Sequence, residues 1–395
     1  MPTPGLRDPR YQRQQTMKTG PRKMKIETLA ARAGHGHDTD TGAVTPAIHL
    51  STTFEREPDG SYRGGYIYSR YANPNRDALE KAIAALEGGE VGVCFSSGSA
   101  ATMTLIQAIG PQSHIIAADD AYFGTTKLMR DVFGPWGVEV SLVDMTDLAA
   151  VHAAMRPNTR VVWMESPSNP LLRITNIAAI ARIASSAGAV SVVDNTWATP
   201  VLQRPLELGA DVVMHSTTKY FGGHSDVLGG ALICKRDDEL AQKIRAVQAA
   251  GGAVPSPFEC WLTLRGIRTL PVRIAAQCRN AVALAEFLHT HPRVEAVHYP
   301  GLKSHPAHAL ARGQMSGFGA MMSVQVGGSA DESRAIASSL KLFTQATSLG
   351  GTESLIEHRA SVEGVGTRAP DNLLRVSVGL ESPLDLIDDW ETALR

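Results

Sequence analysis

The sequence is short of several things, and each shortage removes a class of protein. Cysteine is scarce: Cys94, Cys234, Cys260 and Cys278 are the only four in 395 residues, with no C-x-x-C spacing and no clustered histidines beside them. That argues against a disulfide framework or a zinc site and points to a reducing cytoplasm. Charge of one sign is also missing, since 38 Lys and Arg face 39 Asp and Glu for a formal net charge of -1. Such a balance gives no electrostatic reason to expect nucleic acid or an anionic membrane as partner. No apolar run approaches the length of a membrane span. The first 23 residues are polar and basic (Arg7, Arg10, Arg13, Lys18, Arg22, Lys23) and lack the apolar segment of a secretory signal. They read as a flexible tail, with Met17 or Met24 an alternative start. There is no internal repeat or low-complexity tract. The pair in His35-Gly36-His37 has no further ligands near it and reads as a polar loop, so no metal site is expected.

What is present has the texture of a large globular enzyme. A chain of 395 residues, 43% of them hydrophobic, is long enough for two or three packed units with sizeable cores. From about residue 90 to 235, short apolar runs alternate with Ala-rich helical patterns. Strands are expected at 91–96, 114–118, 138–143, 160–165, 189–194, 211–215 and 231–234, with helices at 100–109, 125–133, 148–155 and 177–187 between them. The apolar runs are nearly continuous rather than alternating, as in strands covered on both faces, so a three-layer α/β domain with a mainly parallel seven-stranded sheet is expected. The texture changes after Gly251-Gly252, with Pro255, Pro257 and an Arg-rich helical segment from Trp261. The expected division is an N-terminal arm over 1–72, an α/β domain over 73–267 and a smaller C-terminal α+β domain over 268–395, with strands near 319–326 and 374–378. The first 70 residues show little periodicity and suit an extended arm.

A doubly wound sheet binds ligands beyond the carboxyl ends of its strands, and there the sequence becomes specific. Lys219, in Ser216-Thr217-Thr218-Lys219-Tyr220, directly follows a buried strand. A lysine amine in a desolvated site is a Schiff-base nucleophile, and the hydroxyls of Ser216 and Thr218 can serve a phosphate. A lone lysine at a loop is usually just a surface group; here its context argues otherwise. Asp194 ends another apolar run, 25 positions earlier. A carboxylate there can hold the ring nitrogen of pyridoxal phosphate (PLP) protonated, which makes the ring an electron sink; a turn or capping aspartate is the rival reading. Ser97-Gly98-Ser99 joins a strand to a helix start, where open N–H groups and the helix dipole suit an anion, although many such turns are only caps. Tyr122 follows the next strand and suits either stacking on a ring or core packing. Arg375 stands alone in the apolar run Leu373-Leu374-Arg375-Val376, where its planar fork suits an amino-acid carboxylate, with a structural ion pair as the alternative.

With these residues in view, the chain resembles the Cys/Met-metabolism (transsulfuration) family of fold-type I PLP enzymes, which includes cystathionine γ-lyase, β-lyase and γ-synthase. The likeness runs from about Lys25 to the C-terminus. It is carried by Tyr68-Ser69-Arg70-Tyr71-Ala72-Asn73-Pro74-Asn75, Ser97-Gly98-Ser99-Ala100-Ala101, Glu165-Ser166-Pro167-Ser168-Asn169-Pro170, Val193-Asp194-Asn195-Thr196, Ser216-Thr217-Thr218-Lys219-Tyr220 and Ser348-Leu349-Gly350-Gly351-Thr352-Glu353-Ser354. The resemblance implies that Lys219 is the Schiff-base lysine and proton shuttle, that Asp194 pairs with the pyridine nitrogen and that Tyr122 stacks on the ring. It implies that Gly98, Ser99, Ser216 and Thr218 hold the phosphate, and that Asn169, Ser348 and Arg375 hold the substrate carboxylate. Tyr68 and Arg70 match a motif that in the family reaches the neighbouring subunit's phosphate site, which implies a dimer, usually paired into a tetramer.

The chain departs from the family pattern at two places. Thr347 stands where many γ-lyases and γ-synthases carry Glu, and Glu357-His358-Arg359-Ala360-Ser361 replaces the usual Met-Thr-His that follows the Glu-Ser-Leu motif. Both border the distal end of the substrate. Carbon–sulfur lyase activity on cystathionine or a related thioether is the first expectation, γ-replacement on an acylated homoserine the second and aminotransfer a more distant third. No G-x-G-x-x-G follows the first strand, so a nicotinamide-type dinucleotide fold is disfavoured.

Overall fold

The chain is described by a computed structural model covering residues 24–35, 41–364, 367 and 369–395. The expected flexible tail over 1–23, and Gly36 and His37 of the His-Gly-His pair, lie outside the described residues.

All seven expected strands form, and they form one sheet. They are β1 (Val91–Phe95), β2 (His114–Ala118), β3 (Glu139–Val143), β4 (Thr159–Glu165), β5 (Val190–Asp194), β6 (Val212–His215) and β7 (Gly230–Cys234). Their order is β1-β7-β6-β5-β4-β2-β3. The pairs from β6 to β3 are parallel, and β7 runs antiparallel to both its neighbours. Successive side chains of a strand point to opposite faces, and the core follows that rule. Val161, Trp163 and Val192 join the cluster under helices Gly98–Ile109 and Glu239–Gly251, whereas Val162, Met164 and Val193 join the cluster under helix Ile177–Ser186. Helices on both faces give three layers. Because Glu165 and Asp194 continue the first of these alternations and are register partners, two carboxylates stand side by side at the carboxyl end of the sheet.

The helices begin where their caps dictate. Ser97 accepts a hydrogen bond from the Ala100 amide (3.1 Å), starting the helix behind β1. The helix expected at 125–133 begins earlier, at Phe123, because the Tyr122 carbonyl accepts from the Thr125 and Thr126 amides; it then widens into a π-helix over Leu128–Phe133.

The second sheet has five strands in the order β10-β11-β12-β9-β8, namely β8 (Val294–His298), β9 (Met321–Val326), β10 (Thr344–Gln345), β11 (Leu355–His358) and β12 (Leu373–Ser377). Two of these were expected. The others carry polar residues such as Glu295, Glu357 and His358, which hide them from an apolar-run reading. Within the N-terminal arm one short helix stands where an extended segment was expected. Ile26, Leu29, Ala30 and Ala33 recur at helical spacing, the first three of them within helix Ile26–Ala31, and all four pack into a core cluster shared with the C-terminal sheet. Among the described residues no helix is long and apolar enough to cross a membrane, and no group of three metal-ligating side chains gathers.

Gly230, the first residue of β7, lies against the turn after β1: a Cβ there would fall well inside van der Waals contact of the Ser97 carbonyl and the Gly98 amide. Gly230→Ala is therefore expected to lower the unfolding midpoint, at a cost of about 1–3 kcal/mol. Gly251→Ala, where nothing lies within 4 Å, is the control. Equal midpoints for the two variants would show that this contact does not constrain the turn.

Candidate active site

The segments leaving β1, β2, β4, β5 and β6 converge with residues 347–349 and with β12 on one cavity of about 410 Å³. Of the residues singled out in the sequence, Lys219, Asp194, Tyr122, Gly98, Ser99, Ser216, Thr218, Asn169, Ser348 and Arg375 all line it. Tyr68 and Arg70 do not. They line a separate surface cleft with Thr52, Asn73, Gly252 and Pro255, where Arg70 lies over the Tyr71 ring at 4.4 Å and donates to the Ala249 carbonyl.

Lys219 is held at its tip: Nζ donates to Ser348 Oγ at 2.6 Å. Burial and the nearby Arg375 guanidinium draw its amine down from the ordinary 10.5 to about 8, against the opposing pull of Glu357 and Asp194. Ser348 has a left-handed backbone, φ 85°, a conformation that costs a non-glycine residue about 1–3 kcal/mol and is found where the surroundings enforce it. Here the enforcement is visible: its side chain takes the lysine amine and its carbonyl accepts from Arg375 Nη2 (3.1 Å).

Asp194 is buried, and burial raises its carboxyl above the ordinary aspartate range while hydrogen bonds from Thr196 pull the other way. Its Oδ1 accepts from the Thr196 amide at 3.0 Å. Glu165, also buried, is pushed well above the ordinary range by burial and by the neighbouring Asp194 charge, and accepts from the Tyr122 amide (2.7 Å). Two adjacent acids in a dry site favour a proton or a cation between them. Gly124 leaves room for the half-exposed Tyr122 ring, whose edge a Cβ at 124 would strike.

At the start of helix Gly98–Ile109, the amides of Gly98 and Ser99 precede the helix's own i to i−4 bonds, so the cavity meets open N–H donors at a positive dipole end. The Ser216 amide donates to Thr196 Oγ1 (2.9 Å). Thr218 is less free than its sequence position suggests, because its hydroxyl donates to the Gly229 carbonyl (3.1 Å) and accepts from the Gly229 amide (3.0 Å).

Arg375 Nη1 donates to Asn169 Oδ1 (3.3 Å), and Nη2 lies 2.9 Å from Glu357 Oε1. Both readings of this arginine are thus partly realised: it lines the cavity and it has a buried ion-pair partner. Sequence reasoning missed the roles of Glu165, Glu357, Arg359 and Glu363. The signal for Glu165 was present, since it ends an apolar run as Asp194 does. Glu357 faces Arg375 only because β11 pairs with β12, a register that nothing local announces.

Comparison with known proteins identifies the family. The family model described as Cys/Met metabolism PLP-dependent enzyme matches residues 27–395. Cystathionine γ-synthase of Mycobacterium tuberculosis is 48% identical over 373 residues, covering 93% of this chain and 96% of that protein. Cystathionine β-lyase of Coxiella burnetii is 42% identical over 382 residues, 94% of this chain and 98% of that protein. The crystal structure of cystathionine γ-synthase from Xanthomonas oryzae pv. oryzae in complex with cystathionine superposes with a TM-score of 0.91 at 43% identity, covering 94% and 98% of the two chains. The chain belongs to this family: it is a fold-type I enzyme that uses pyridoxal phosphate in sulfur amino-acid metabolism and acts on a small-molecule substrate. The residues present fit that cofactor, with a lysine amine whose pKa burial lowers, a buried carboxylate and open amides at a helix start in one cavity.

The direction of the lysine shift has a direct consequence. A lowered pKa means that the free amine appears at lower pH than on an ordinary lysine. Acylation of Lys219 in cofactor-free protein, followed by peptide mass spectrometry, is expected to reach half its limiting rate near pH 8. A midpoint at the ordinary 10.5 would mean that burial and Arg375 do not act on this amine.

Proposed function

We propose, with membership of this PLP-dependent family as the premise, that the protein cleaves the carbon–sulfur bond at Cβ or Cγ of cystathionine or a related thioether amino acid. The observation that carries the reading is the meeting of Lys219, Asp194 and Arg375 around one cavity, with the lysine amine and the arginine both tied to Ser348. Bound pyridoxal phosphate supplies an electron sink for the negative charge left when the α-proton departs. Lys219 would hold that cofactor and, once free, move the proton at Cα, a task suited to an amine whose pKa lies near the working pH. Asp194 would face the ring nitrogen, gaining the cationic partner that its burial calls for. The amides of Gly98 and Ser99, with Ser216 and Thr218, would bind the phosphate, and the Tyr122 ring would cover one face of the cofactor. Asn169, Ser348 and Arg375 would take the substrate's α-carboxylate.

A second reading, γ-replacement on an acylated homoserine to form cystathionine, is favoured by the 48% identity to a relative named cystathionine γ-synthase. The same residues serve it, with a thiol instead of water completing the reaction. The finer features of assembly and place follow the same reading. The chain would divide near residue 268, between helices Pro257–Ile267 and Leu270–Thr290. A second copy would cover the arm, where Val44, Leu50, Ile67, Tyr68 and Tyr71 are each exposed, so that Tyr68 and Arg70 complete the partner's site within a dimer or tetramer. The four free thiols suit a reducing cytoplasm.

Ketoacid release from cystathionine, set against cystathionine formation from acylhomoserine plus cysteine, separates the two reactions; activity in the second assay alone would overturn cleavage. Lys219→Ala is expected to keep the fold, lose turnover by about 10³-fold or more, and give no pyridoxyl mass at position 219 after borohydride. Near-normal turnover in that variant would remove the lysine from its role. Light scattering is expected to give at least twice the 42.2 kDa chain mass, and a monomer that turns over would sink the shared site.

A further inference from the structure

The segment that departs from the family pattern places a second guanidinium in the cavity. Arg359 opens the short helix Arg359–Glu363 and is buried, yet it lines the same cavity as Lys219, beside Val362, Glu363 and the uncharged Thr347. Two carboxylates fix its plane: Nη1 donates to Glu357 Oε1 (2.6 Å) and Nε to Glu363 Oε1 (2.8 Å). Glu363 is steadied in turn by the Thr367 hydroxyl, which donates to its other oxygen (2.6 Å). Among the described residues the Nη2 group of Arg359 makes no protein hydrogen bond, and a guanidinium with an idle donor pair on a cavity wall is a receptor for a planar anion.

Arg375 shares Glu357 Oε1 with Arg359, so the two guanidinium groups are neighbours bridged by one oxygen. If Arg375 takes the substrate's α-carboxylate, the second cation answers to a different group. Its bed of two carboxylates balances its charge in the resting protein, which is how a buried arginine is kept charged and oriented until an anion arrives.

We propose that Arg359 is a specificity-determining residue that binds an anionic group at the far end of the substrate side chain, so that the protein selects amino acids with a second carboxylate over those with a neutral tail. This rests on the reading of the cavity as an amino-acid site given above, and it assigns to that site a discrimination that Arg375 alone cannot provide.

Selection can be read without turnover. Calorimetric titration of the holoenzyme with two amino acids that lack a leaving group, 2-aminopimelate with a terminal carboxylate and norleucine with an apolar tail, is expected to show aminopimelate bound about 10- to 100-fold more tightly, the worth of a charged hydrogen bond. In Arg359→Gln the preference is expected to fall to within about threefold, a residual difference of less than about 1 kcal/mol, with norleucine affinity little altered. Arg359→Lys keeps the charge but loses the fork and should fall between the two. Because Arg359→Gln leaves Glu363 without its cationic partner, the double variant with Glu363→Gln provides the same comparison if the single variant does not fold. Equal affinity of the native enzyme for both ligands, or an undiminished preference in the variants, overturns the role of Arg359 while leaving the amino-acid site standing. Failure of both ligands to bind overturns the site itself and the proposal with it.

Discussion

The structure depends on the mutual burial of opposite charges at the carboxyl end of one sheet. Lys219, Arg359 and Arg375 share a cavity with Glu165, Asp194 and Glu363, and Glu357 is bonded to both arginines. Removing any one of these ions from water costs several kcal/mol unless a partner and hydrogen bonds replace the solvent. The partners exist: Arg359 finds its carboxylates locally in Glu357 and Glu363, but Lys219 reaches Ser348 and Arg375 reaches Asn169 from distant parts of the chain, so the cluster is complete only when the whole fold is assembled. The perturbed amine of Lys219 and the raised carboxyls of Asp194 and Glu165 are the residue of that incomplete compensation. A site left with such imbalances is poised to accept a cofactor that brings a cationic ring and an anionic phosphate together.

Sheet topology delivers these groups, and the second sheet holds them in place. Asp194 ends β5 and Lys219 follows β6, while Arg375 and Glu357 come from β12 and β11 and Ser348 from the loop preceding β11. Ser348 is the seam: its hydroxyl takes the lysine amine from one unit and its carbonyl takes the arginine from the other. The strained backbone at that residue is therefore maintained by the same contact that joins the two sheets. Close approach elsewhere is obtained by omission of side chains, as at Gly230 against the turn after β1 and at Gly124 beneath the Tyr122 ring.

Legibility in the sequence tracks how local each feature is. Most strands of the large sheet were visible because they are short, nearly continuous apolar runs bounded by turn residues and buried on both faces, the edge strand β3, half-buried, being the exception. Lys219 and Asp194 were visible because they end two such runs. Strands β10 and β11 were not, since Leu355-Ile356-Glu357-His358 is half polar and its burial depends on pairing with β12. The helix at Ile26–Ala31 escaped for a related reason: its few apolar residues gain meaning only from the core they enter. Hydroxyl roles were the least legible. Thr218 and Ser216 look equivalent in the sequence, yet the Thr218 hydroxyl is occupied on both sides by Gly229, and that follows from how β7 returns beside the lysine loop.

The ion pair between Arg375 and Glu357 looks at first like a competitor for the substrate carboxylate, but a guanidinium has five N–H donors in a rigid fork. In Arg375, Nη1 meets Asn169 while Nη2 meets Ser348 and Glu357, and among the described residues the Nε edge has no partner. Glu357 therefore orients the fork without exhausting it. An arginine held only by solvent would lose side-chain entropy each time it closed on a ligand, whereas one already fixed by a buried acid has met that cost during folding. The same oxygen fixes Arg359, so a single carboxylate pre-positions two anion receptors at a set spacing. Spacing between receptors is what distinguishes a substrate with two acidic ends from one with a single end, because both ends must reach their partners from one bound conformation.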